Sequence, residues 1–186
     1  MLAAPALALT AGACRVPGGV DGGPPPAFCT APTPGVLDGA PPEAPTLLTM
    51  VIGTDDPTQR HVATRWNDGD HIPLVAGGQG GFMIRPSFDV TAPAALPEDG
   101  AHKTCLGVSM IAGPPATITS LTDGVLATRI DGTTATYHVP ALLGLLTYDS
   151  RLDGMTQPLA FYVRAADPES AGYQALSVVL DASLSP

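Results

Sequence analysis

Proline and glycine punctuate this chain so often that a long helix has little room to form. There are 21 of each among 186 residues. Glycine adds backbone entropy and proline removes an amide donor, so both interrupt helices and concentrate in turns and loops. Between these interruptions the apolar residues recur at every second position. In 47–52, Leu48, Met50 and Ile52 share one face. In 105–111, Leu106, Val108 and Met110 do the same, with Cys105 on the other side. Phe161 and Val163 alternate in 159–165, and Leu176, Val178 and Leu180 in 175–181. Period two is the signature of strands with one buried face. Seven to nine short strands at roughly ten-residue spacing predict an all-β domain over 46–186, an antiparallel immunoglobulin-like β-sandwich.

Two segments define details of that expectation. In 82–90, Phe82, Ile84, Phe88 and Val90 share a face, but Pro86 cannot donate to a ladder, which places this strand at an edge or gives it a bulge. In 125–139, Asp131-Gly132 is a favoured two-residue hairpin turn. It pairs Thr128 with Ala135 and Leu126 with Tyr137, and turns Leu126, Ile130, Ala135, Tyr137 and Val139 inward. His138 then faces solvent. Pro140 opens the ambiguous run 140–146, which suits one short helix.

The first 45 residues have a different character. Residues 1–13 are small and apolar like the core of a secretory signal, ending in the small-x-small triplet Ala11-Gly12-Ala13, and the usual positive n-region is not among them, as expected where a sequence starts inside a longer signal. Cys14 follows at once. This junction resembles a bacterial lipobox, with Ala11 where that motif usually has leucine; the resemblance implies lipidation of Cys14, and plain signal cleavage is the alternative. Residues 14–45 hold nine of the prolines and read as a disordered Pro/Gly-rich tether. Export allows disulfides. Of the three cysteines, Cys29 and Cys105 form the favoured pair, stapling tether to domain; Cys14 with Cys29 is the competing pair.

Charge narrows the partners. The formal net charge is −9, with 17 acidic and eight basic residues. No Lys/Arg cluster offers phosphates a basic face, so nucleic acid is not an expected partner. No apolar run reaches a membrane span, which leaves a lipid at Cys14 as the expected route to a membrane. An unknown protein or envelope component is the expected partner.

The glycine-rich stretch 77–81 invites a phosphate-binding reading. A P-loop needs lysine after its last glycine, and Phe82 stands there. A dinucleotide-binding pattern starting at Gly78 fails at Met83. Gly78, Gln79, Gly80 and Gly81 read instead as a turn between strands. This stretch carries a second resemblance. Asp68-Gly69-Asp70, the apolar run Ile72–Ala76, the turn Gly78–Gly81 and the aromatic Phe82 resemble a segment of uncharacterised bacterial secreted lipoproteins. Those relatives often have histidine where this chain has Met83. The resemblance implies a secreted or lipid-anchored β-domain with no agreed activity.

No catalytic motif emerges. Residues 67–70 lack the ligand spacing of a calcium loop and read as a turn held by Asx hydrogen bonds. The four histidines, His61, His71, His102 and His138, show no metal-ligand spacing, and no cofactor is expected. The pattern points to a non-catalytic binding or structural module of the bacterial cell envelope. Two alternatives remain: a periplasmic metal-binding domain using Met83 and His71, and a hydrolase with loop-borne His61, His71 and Asp70.

Overall fold

The structure, a computed structural model, describes Cys29 and residues 47–55, 61–76, 81–99, 101–115, 118–130, 135–142, 144–145, 150–166 and 170–184. The described residues form twelve strands, two short 3-10 turns and no α-helix. The strands are β1 (Thr49–Asp55), β2 (Val62–Arg65), β3 (His71–Pro73), β4 (Val75–Ala76), β5 (Phe82–Ile84) and β6 (Ser87–Thr91). They continue with β7 (Lys103–Ala112), β8 (Ile118–Arg129), β9 (Thr136–Val139), β10 (Gly144–Leu145), β11 (Thr156–Arg164) and β12 (Ala171–Asp181). Residues 1–28 and 30–46, which include Cys14 and most of the expected tether, lie outside the described residues.

Nine strands make one sheet in the order β2-β1-β6-β9-β8-β7-β11-β12-β3, and β10-β5-β4 make a second. All pairings are antiparallel except β12 with β3. The large sheet curls on itself. Leu48 N–H, at the start of β1, donates to Ala171 O of β12 at 2.9 Å, although five strands separate β1 from β12 in the sheet order. Gly172 allows this approach, because an added Cβ there would lie 2.8 Å from Leu48 O.

The curl encloses the apolar face that the alternation predicts. Ile52, Phe88, Val90, Leu106, Val108, Phe161, Val163, Val178 and Leu180 are each at most 2% exposed. Phe88 of β6 and Phe161 of β11 meet edge to face across this interior, their ring centroids 5.4 Å apart. Burying side chains of this size contributes roughly 1.5–3 kcal/mol each.

Three local expectations are corrected. Pro86 does not sit in one strand. It separates β5, in the small sheet, from β6, which lies between β1 and β9 in the large one. A proline between strands is a natural place for the chain to switch sheets, since no ladder bond is lost. The β8–β9 hairpin has a different register: Thr128 faces His138, not Ala135, and Arg129 faces Tyr137. Ile130 N–H donates to Thr136 O, where a two-residue loop would pair Ile130 with Thr133; the expected turn residues Asp131 and Gly132 lie outside the described residues. A displacement by an odd number of residues exchanges the faces of one strand. Val125 and Ala127 are therefore buried, and Leu126 stands opposite Cys105 on the outer side. Finally, Gly144 and Leu145 belong to β10 and not to a helix.

The glycine stretch joins two paired strands. Ala76 of β4 faces Phe82 of β5, and Val75 faces Met83, antiparallel. Gly81 is described; Gly78, Gln79 and Gly80 lie outside the described residues. A strand, not a helix, follows the stretch.

Candidate functional site

Cys29 and Cys105 form a disulfide with a Cα–Cα distance of 6.0 Å. Alternation turns Leu106, Val108 and Met110 inward, so Cys105 projects from the outer face of β7. Cys29 N–H also donates to Gly124 O of β8 at 3.4 Å. Cys29 is thereby fixed across β7 and β8.

A second polar assembly lies on the outer face of β1, β6 and β9. Asp89 faces His138 directly in the β6–β9 pairing, and the two side chains meet with Nδ1 2.9 Å from Oδ1. The other ring nitrogen, Nε2, lies 3.0 Å from Asp55 Oδ1 in an ion pair. The β1–β2 register shifts between Thr54 and Asp55, where β2 carries one extra residue, and Val62 N–H donates to Asp89 Oδ2 at 3.1 Å. An imidazole carries hydrogen on both nitrogens only when protonated. Burial works against that charge, but the bonds and charges of Asp55 and Asp89 outweigh it and lift the His138 pKa to about 9. His138 is thus on the face that alternation assigns it, yet only 7% exposed, not solvated as the sequence suggests.

A third assembly centres on Glu98. Tyr137 is fully buried; its hydroxyl donates to Glu98 Oε1 at 2.6 Å and accepts from Leu96 N–H at 2.8 Å. Arg129 Nη1 lies 3.3 Å from the same Glu98 oxygen, and His102 Nδ1 lies 3.1 Å from Oε2. The Tyr137 bond, with help from His102 and Arg129, holds the Glu98 carboxyl below its ordinary range. Burial and the bond to Glu98 push the Tyr137 hydroxyl up. Asp99 Oδ1 accepts from Ala101 N–H and Lys103 N–H, which shapes the turn where His102 takes a φ of 57°.

The Asp68-Gly69-Asp70 turn forms as its composition suggests. Gly69 has a φ of 83°, a left-handed conformation that glycine adopts without a Cβ clash. Asp70 Oδ2 accepts from Asn67 N–H and from the Asn67 side chain, while Asp68 Oδ1 accepts from Ser177 N–H of β12.

The residues of the two alternative readings each have local partners. Asp70 is bonded to Asn67, His61 Nδ1 to Val62 O, and His71 Nδ1 to Asp181 Oδ2. Met83 faces Val75 and Leu145 in the small sheet, whereas His71 pairs with Val179 in the large one. Among the described residues, no three His, Cys, Asp or Glu side chains gather in a way that could hold a metal ion.

The alternation places His138 and Asp89 on outer faces, but no spacing pairs them, and Asp55 reaches them at a register shift that nothing in the sequence marks. Glu98 lies 39 residues from Tyr137, so that contact too follows from sheet order alone. Chemically, the His138 and Glu98 assemblies are cross-links: Asp55, Asp89 and Glu98 each meet a donor from another strand, whereas Asp70 and Asp99 hold their own turns. No protein-family model matches the chain, and no curated protein or solved structure matches it either.

Proposed function

We propose that this chain is a non-catalytic binding or structural module of the bacterial cell envelope, exported and either anchored by a lipid on Cys14 or released. The observation that carries this reading is the Cys29–Cys105 disulfide. Disulfides persist in oxidising compartments and are rare in the cytosol. This one ties a residue of the Pro/Gly-rich region to a strand of the domain, as a tethered module requires. The signal-like start and the cysteine at 14 supply the export route and the anchor, and they ally the chain with secreted lipoproteins carrying the same Asp-Gly-Asp and glycine-turn segment.

The finer fold assignment, a sandwich of immunoglobulin type, belongs to this reading. It is supported by the contact of Phe88 with Phe161, since two strands so far apart in the sheet order meet only where the sheet faces itself. The partner is a protein or other envelope component. An acidic chain with eight basic residues suits neither nucleic acid nor an anionic lipid surface.

Expression in a bacterium with radiolabelled palmitate tests the anchor, alongside Cys14→Ala. The reading predicts label in the wild-type protein, none in the variant, and movement of the variant from the membrane to a soluble envelope fraction. Absence of label with an unchanged location refutes the anchor. Retention in the cytoplasm with reduced Cys29 and Cys105 refutes export.

A further inference from the structure

The outer face of β7, β11 and β12 holds a charged group, Arg164, that has no counterion among the described residues. Arg164 of β11 stands between Gly107 of β7 and Ala171 of β12. One has no side chain and the other a single methyl group. The next pair along the same face is Ser109 opposite Tyr162, with Tyr173 on the far side of Tyr162. Arg164 is half-buried, and its Nε is shielded from solvent with no acceptor. No carboxylate among the described residues forms an ion pair with it. Ser109 is 1% exposed, and its Oγ also has no partner.

This departs from how the chain treats its other buried charges. Arg129 has Glu98, and His138 has both Asp55 and Asp89. Burying a guanidinium donor without an acceptor is unfavourable, and an acceptor from outside the chain removes that cost.

We propose that Arg164 and Ser109 form a binding site for a carboxylate on the outer face of β7, β11 and β12. Both groups offer hydrogens, which complement oxyanion oxygens. Residues at directly opposed and diagonal positions on one face are close enough for long side chains to act together. The guanidinium fork matches a planar carboxylate in two parallel bonds. A single positive charge balances a monoanion, whereas a phosphate dianion leaves excess negative charge on an already acidic protein. The rings of Tyr162 and Tyr173 pack together with centroids 4.8 Å apart; Tyr162 is buried, and the partly exposed Tyr173 borders the site and is the ring the body of the ligand would meet. The site gives the module reading a ligand class and rests on that reading, but its test is independent of export because it uses purified protein.

The test is titration of the full-length, 15N-labelled, oxidised protein with benzoate, acetate and inorganic phosphate at constant ionic strength. The Arg164 Nε–Hε resonance is the reporter. Benzoate is expected to shift it saturably, with acetate weaker and phosphate weakest. Arg164→Met keeps the apolar stem and is expected to weaken benzoate about tenfold or more, and Ser109→Ala several-fold. Arg164→Lys keeps the charge without the fork and carries the test if the methionine variant does not fold; an intermediate loss is expected. No saturable shift at tens of millimolar benzoate overturns the proposal, as does equal binding by the folded variants. Phosphate binding more tightly than benzoate overturns the carboxylate assignment.

Discussion

Raising the pH through the neutral to mildly alkaline range should destabilise this protein through His138. In the unfolded chain the imidazole titrates near its ordinary 6.5; in the fold its pKa is about 9. Between these values the native state holds a proton that the unfolded state has released. Stability is therefore complete below 6.5, falls as pH rises, and loses this contribution above about 9. A tenfold gain in proton affinity on folding is worth about 1.4 kcal/mol, so the gap between the two states sets an upper limit of roughly 3 kcal/mol. Asp55 and Asp89 are 23% and 16% exposed, so solvent screening reduces the expected loss to about 1–2 kcal/mol. Denaturant unfolding across this range measures it, with His138→Gln as control. The variant should be less stable than wild type at neutral pH and much flatter across the window. Unchanged wild-type stability over the window, or the same slope in His138→Gln, refutes the reasoning.

Other expectations follow from the same contacts. Tyr137→Phe deprives the Leu96 N–H of its acceptor and should cost about 1–3 kcal/mol in unfolding free energy, with faster amide exchange at Leu96. Gly172→Ala pushes a methyl group against Leu48 O; it should destabilise by about 1–3 kcal/mol and speed exchange of the Leu48 amide. Reducing the disulfide, which spans 76 residues, should lower stability by up to roughly 4 kcal/mol in the chain-entropy description; an unchanged denaturant midpoint under reducing conditions contradicts it.

The strands are legible in the sequence because burial imposes a period that the chain cannot hide. Ile52, Phe88, Leu106, Val108, Phe161 and Val178 all lie where alternation puts them. The β8–β9 register is not legible, because a favoured Asp-Gly pair is a local preference, whereas register is set by which side chains the sheet buries. Val125 and Ala127 decide it, and with them Arg129, which reaches Glu98 from the same face as Tyr137. Pro86 is legible as a break but not as a crossing between sheets, because the destination of β5 depends on pairing with β4 and β10. Alternation gives His138 its correct face and the wrong environment: it fixes direction, but two carboxylates on neighbouring strands determine whether water remains. The ion pairs and the Arg164–Ser109 face depend on sheet order, which no local pattern encodes.

Non-reducing peptide mapping of the protein recovered from a bacterial envelope fraction tests the central claim, that an exported domain is stapled to its tether. The account predicts a peptide in which Cys29 is joined to Cys105, with Cys14 outside the bridge. Recovery of Cys14 joined to Cys29 with a free Cys105, or of all three cysteines as thiols, contradicts it.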